Sequence, residues 1–180
     1  MQVLDKADAL PLLEAELRAL PAGQRCFACA LVGADDRMAR SIAESEHGLV
    51  VLNRFGARER HLLVVARRHV EHIHELPWEV YADLQHLAYQ ATRMLHARYR
   101  PARIYTAVFG SGNPLPMSYP HLHVHVVPVM DASERARSTR VFSWSDGVVL
   151  YEDDEAAALT TELRSLWPRD RALKLDDGAD

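Results

Sequence analysis

The hydrophobic positions along the chain change period several times. Leu10, Leu13, Leu17 and Leu20 recur at steps of three and four between Glu14, Glu16 and Arg18, which predicts an amphipathic helix over residues 8–20. Pro21, Ala22 and Gly23 should stop it. Residues 27–32 form a short apolar run that reads as a strand. Residues 33–47 are polar and read as a loop, or as a short helix through Met38 and Ile42. Residues 48–53 and 61–66 are apolar and β-branched, and the short loop between them predicts an antiparallel hairpin. Pro77 suits the first position of a long helix reaching Tyr99, with Leu84, Leu87, Ala88, Ala91, Met94 and Leu95 on its buried face. Residues 104–109 and 121–128 read as strands on either side of a Gly/Pro-rich loop. Further on, residues 131–140 read as a loop and 141–151 as a hairpin around Ser145, Asp146 and Gly147. Residues 155–167 read as a helix, and the acidic residues 176–180 as a disordered tail.

One strand carries chemistry. His121, His123 and His125 alternate with Leu122, Val124 and Val126. Alternate residues of a strand share a face, so three imidazoles should line one side, about 7 Å apart, while the apolar set faces a core. An exposed polar strand face would not need the apolar partners. Three neighbouring imidazoles suit proton transfer, metal ligation or covalent catalysis near neutral pH.

The 180 residues and 48% hydrophobic content fit a globular chain with its own core. A formal net charge of -4 argues against general nucleic-acid binding, which needs a basic surface. No run approaches a membrane span and the first residues do not resemble a signal peptide, so no membrane association and a cytoplasmic location are expected. In a reducing compartment the Cys26–Cys29 pair reads as half a zinc site, with a redox pair or plain buried thiols as the other possibilities. Two more ligands would come from His47, His61, His69, His72, His74 or the triad. Arg58, Glu59 and Arg60 read as a solvated loop.

The segment His121-Leu122-His123-Val124-His125-Val126-Val127 resembles the H-φ-H-φ-H-φ-φ signature of the histidine triad (HIT) nucleotide hydrolases and transferases. Residues 48–53, then His61-Leu62-Leu63-Val64-Val65 and Arg67-Arg68-His69-Val70, resemble the paired strands that precede it in that family. The resemblance covers roughly residues 26–130. It implies an α+β fold: an antiparallel sheet of about five strands carrying the 77–99 helix. The expected organisation is an N-terminal helical extension (1–25), a catalytic domain (26–130) and a C-terminal extension with hairpin, helix and acidic tail (131–180).

The resemblance also implies a division of labour. His123 would attack the α-phosphorus of a nucleotide to give a nucleotidyl-histidine intermediate, and His125 would contact phosphate oxygens or the leaving group. His61 would lie near the phosphates, and Asn53 near the ribose. Cys26, Cys29, His69 and His121 would hold a structural zinc ion, with His72 or His74 as substitutes for His69. Met117 stands where many relatives carry Gln, and Ser118 resembles the transferase and phosphorylase branches, so water, phosphate or another group remains open as acceptor. The expected function is cleavage of a dinucleoside polyphosphate or AMP conjugate. A phosphorylase or nucleotidyltransferase, and a non-catalytic nucleotide-binding regulator, are the alternatives. The family's hydrolases imply a nucleotide substrate and a homodimer.

Overall fold

A computed structural model describes residues 1–20, 26–34, 40–109 and 120–168. Residues 21–23, Met38, the loop with Gly112, Met117 and Ser118, and the 176–180 tail lie outside the described residues.

Five antiparallel strands form the main sheet: β2 (Ser41–Glu44), β3 (Gly48–Leu52), β5 (Leu62–Ala66), β6 (Arg103–Ala107) and β7 (His123–Val129), in the order β2-β3-β5-β7-β6. Register explains which side chains meet. Val64 faces Val124 and Leu62 faces Val126, whereas Val65 faces His123 and Leu63 faces His125. The period-2 alternation therefore sends Val50, Leu62, Val64, Val124 and Val126 to one side. There they pack against Leu84, Leu87, Ala88, Ala91 and Leu95 of the long helix α3 (Trp78–Tyr99). Each such side chain is worth about 1.5–3 kcal/mol when fully buried, so a one-residue slip of β7, which would exchange the two faces, is strongly disfavoured. Pro77 is the residue before the helix rather than its first residue.

The opposite face carries Leu49, Val51, Leu63 and Val65 under Cys26, Ala28 and Leu31. This covering element is α2 (Phe27–Gly33), a helix where a strand was expected. Short apolar runs do not distinguish the two. Here Cys26 caps the helix, its sulfur accepting the Cys29 backbone N–H. The stretch expected as loop or helix contains β2, whose Ser41 carbonyl receives the Arg164 guanidinium at 3.0 Å.

Segments from the two ends of the chain meet each other. Strand β1 (Gln2–Leu4) and the two-residue β4 (Phe55–Gly56) flank β8 (Val148–Leu150) in a separate three-stranded sheet. The hairpin expected over 141–151 is thus absent. Its first two residues end the short helix α4 (Ser138–Phe142), itself preceded by a 3₁₀ turn at Glu134–Ala136, and its second half pairs with distant strands. Helix α1 (Lys6–Arg18) adds Ala9 and Leu13 to a second core with Phe55, Val127, Val141, Trp144 and Val148. Helix α5 (Asp153–Ser165) sends Leu163 into the main core. The 58–60 segment is tied down rather than solvated: Arg58 bonds Asp146 at 2.8 Å, and the Arg60 guanidinium lies 4.3 Å from the Tyr99 ring centre. Among the described residues no helix is long and apolar enough to cross a membrane.

Gly147 turns the chain into β8 at φ 96°, and an added Cβ would lie 2.7 Å from Val3 Cγ1 and 3.0 Å from the Leu4 carbonyl oxygen. Gly147→Ala should therefore cost about 1–2 kcal/mol or more of stability, read as a lower urea midpoint. An unchanged midpoint would show that β1 does not depend on this turn.

Candidate functional site

Regular pairing of β7 begins at His123, so His121 sits just outside the strand. The Leu122 backbone holds it there, donating to the Val70 carbonyl at 2.7 Å and accepting from the Ala66 N–H at 3.2 Å. The His121 ring is 1% exposed. Its Nε2 lies 2.7 Å from the Ala66 carbonyl, which can only accept, so Nε2 carries the proton. Its Nδ1 points at Cys26 Sγ (3.3 Å), Cys29 Sγ (3.5 Å) and His69 Nδ1 (3.2 Å). Cys29 Sγ is also 3.2 Å from His69 Nδ1.

These separations can be tested against a metal. Tetrahedral zinc with ordinary Zn–S and Zn–N bonds sets its ligands about 3.3–3.8 Å apart. The four atoms lie within 4.8 Å of one another and could hold a metal ion. The C-x-x-C spacing makes this possible, because Cys26 caps α2 and Cys29 lies in its first turn, so both sulfurs sit at one end of the helix. Burial raises the Cys26 thiol, but the His121 ring and the Cys29 backbone N–H outweigh it and bring it to about 6. Burial and the neighbouring Cys26 push the Cys29 thiol up to about 11. His72 and His74 stack on each other, with ring centres 5.4 Å apart, and are not members of the cluster.

The other two triad histidines join a different network. His123 Nδ1 lies 2.7 Å from the His121 carbonyl, so Nδ1 donates and Nε2 is the acceptor. His125 Nε2, 3.1 Å away, must then donate to His123 Nε2. That makes His125 Nδ1 an acceptor, 2.9 Å from His61 Nε2. His61 Nδ1 in turn accepts from the Ala57 backbone N–H at 3.0 Å and from Asn53 Nδ2 at 3.2 Å. The two backbone ends fix the same direction independently, one through a group that only donates and one through a group that only accepts.

Every ring in this relay is held neutral. Burial, reinforced by His123, brings His61 down to about 3. Burial lowers His125 well below its ordinary value, with His61 and His123 adding to the effect. Burial also lowers His123, although the His121 carbonyl pulls the other way. Neutral imidazole is the nucleophilic form.

A cavity of about 630 Å³ opens at His123, within the range of small-molecule sites. Its walls include Val51, Leu63 and Val65 of the sheet, Phe27 and Leu31 of α2, and Asn53. Asn53 also accepts the Phe55 N–H through Oδ1. Across the His125 ring, Phe109 and Phe142 stand with centres 5.2 and 5.8 Å away. Hence Cys26, Cys29, His69 and His121 converge at one place, and Asn53, His61, His123 and His125 at another.

Residues 25–141 match the family model described as "Scavenger mRNA decapping enzyme C-term binding", well over half of the chain. The chain belongs to this histidine triad family. Over 105 residues it is 25% identical to "Protein hit" of Bacillus subtilis (strain 168), covering 58% of this chain and 71% of that protein. In fold it is similar to a hypothetical histidine triad nucleotide-binding protein from Sulfolobus tokodaii strain7, at TM-score 0.58 and 18% identity, with 78% and 91% of the two chains covered. A Zn-bound histidine triad family protein from Mycobacterium smegmatis gives TM-score 0.52 and 23% identity, with 78% and 96% covered. The chain spans 27% of the C. elegans NitFhit protein, which it matches over 71% of its own length at TM-score 0.55 and 20% identity.

Sequence reasoning missed several residues around this triad. Glu16, Arg54 and Asp153 line the cavity, and Phe142 reaches His125 from the C-terminal extension. Glu16 follows the polar spacing of its helix, so no local signal marked it. Phe109 was legible only as the end of a strand.

The neutral relay has a consequence for stability. An unfolded chain protonates His61 near pH 6.5, whereas the folded chain resists until about pH 3. The unfolded state binds more protons in between, so stability falls as pH drops through that window. Urea midpoints should decline steadily from pH 7 to 4.5, with a shallower slope in His61→Gln. A flat wild-type profile would contradict neutral burial of these rings.

Proposed function

We propose that the protein is a nucleotide phosphohydrolase of the histidine triad type, cleaving a nucleoside phosphoanhydride or phosphoramidate through a nucleotidyl-histidine on His123. The observation that carries this reading is the direction of the relay, which directs the Nε2 acceptor of a neutral His123 towards His125 beside the cavity. A bound α-phosphate would take over the His125 N–H bond and release the His123 lone pair for attack. Nε2 then bonds to phosphorus while the bond to the leaving group breaks and its electron pair departs with that group. The resulting imidazolium is held by its Nδ1–H bond to the His121 carbonyl. Splitting one displacement into two lowers each barrier, and positioning with charge stabilisation supplies most of the rest.

The relay as directed carries no spare proton. A phosphate or nucleotide leaving group departs as an anion and needs none, whereas an amine must arrive protonated or take a proton from solvent. Water then bonds to phosphorus as the Nε2–phosphorus bond breaks, releasing a nucleoside monophosphate and one proton to solvent. His123 returns to its neutral form.

Cys26, Cys29, His69 and His121 would hold a structural zinc, supported by their separations and by the Ala66 bond that fixes the His121 tautomer. Such an ion neutralises thiolate charge and ties α2 to the strand ends. It would also brace the residue whose carbonyl orients His123.

Two measurements test these assignments. On a panel of dinucleoside polyphosphates and nucleoside phosphoramidates, His123→Asn should lower turnover by at least about a thousandfold while still binding nucleotide. Undiminished turnover in that variant, or none in the wild type, would overturn the proposal. Running the panel with and without inorganic phosphate separates hydrolysis from phosphorolysis, and hydrolysis is expected. Elemental analysis should find about one zinc per chain, lost in Cys26→Ser together with thermal stability. Metal-free protein that melts like the zinc-loaded form would refute a structural ion.

A further inference from the structure

The cavity at His123 is not closed by the triad segment alone. At one part of its lining, Arg54 Nη1 bridges Glu16 Oε1 at 2.9 Å and Asp153 Oδ1 at 3.1 Å. Glu16 belongs to α1 and Asp153 opens α5, so both carboxylates come from outside the family match at 25–141. Small residues of α5, Ala156 and Ala157, line the same cavity and leave room beside the ion-pair chain. Arg54 directly follows Asn53, which lines the cavity near His61. The Glu16 side chain is 28% exposed, that of Asp153 91%. Glu16 is therefore the more desolvated of the two acceptors and the one better able to discriminate.

Resting on the nucleotide reading above, we infer that Glu16 and Arg54 read the base and select guanine. Donors and acceptors decide the match. A carboxylate presents acceptors only, enough for about four hydrogen bonds, and Arg54 engages Oε1. Of the common bases, guanine alone offers two adjacent donors on its pairing edge, N1–H and the 2-amino group, and so can meet one carboxylate twice. Adenine and cytosine each set a ring acceptor next to their amino group, which would face the carboxylate's lone pairs. The guanidinium complements the choice. It has five donors, both carboxylates meet the same Nη1, and Arg54 Nε has no hydrogen-bond partner among the described residues. Arginine donors match the O6 and N7 acceptors of guanine. Apolar Phe27 and Leu31 supply the surface for the ring itself.

Calorimetric binding of GMP, IMP and AMP to the full chain tests this directly. GMP should bind at least about tenfold more tightly than AMP, the discrimination of one good bidentate contact. IMP lacks the 2-amino group and should fall between them. Glu16→Gln should remove most of the GMP advantage over IMP; the wild-type series decides the matter even if that variant folds poorly. Equal affinity for the three nucleotides, or a preference for AMP, overturns base selection, and continued His123-dependent turnover would then leave the hydrolase reading standing. A GMP preference without turnover of any substrate supports base selection and sinks the hydrolase reading. Failure of all three nucleotides to bind overturns both.

Discussion

The proposed chemistry depends on the direction of one hydrogen-bond chain. It runs from the Ala57 N–H through His61 and His125 to His123, and ends on the His121 carbonyl. A chain of neutral imidazoles can be polarised either way, and in the other direction the Nε2 of His123 would carry a proton and could not attack. Two backbone groups remove that freedom. Neither can change role, since an amide N–H only donates and a carbonyl only accepts. Burial keeps the rings neutral, so the direction does not depend on solvent.

The sheet register makes this chain possible. His125 lies between Leu63 and Ala107 on neighbouring strands, and His123 opposite Val65. The face opposite, packed on α3, penalises any slip by exposing a run of valines and leucines. His121 links two sites. Its ring turns to the cysteine pair while its carbonyl orients His123. A group held in the four-residue cluster would thus stiffen the residue whose carbonyl orients His123, although none of the cluster atoms belongs to the relay.

Much of this was legible in the chain, for identifiable reasons. The His/apolar alternation of 121–126 required a half-buried strand with its imidazoles on one side, and periodicity located α3 to within one residue. Residues 27–32 were misread because six apolar residues carry no period; the deciding facts were the Cys26 cap and the apolar sheet face below. The turn signal at Asp146-Gly147 was real, but it joins β8 to strands at residues 2–4 and 55–56, a pairing that local pattern cannot encode. The same non-local packing brings Glu16 and Asp153 to the cavity. What was invisible in the sequence is therefore the contribution of residues near both chain ends to the cavity.

The proposed reaction requires that His123 become covalently attached to the nucleotide. Rapid alkaline quenching of a turning-over sample, followed by peptide mass mapping, measures this most directly. The peptide containing His123 should gain the mass of one nucleotidyl group and lose it on further incubation. A nucleotidyl group found on any other residue, or none at times when product is forming, would contradict it.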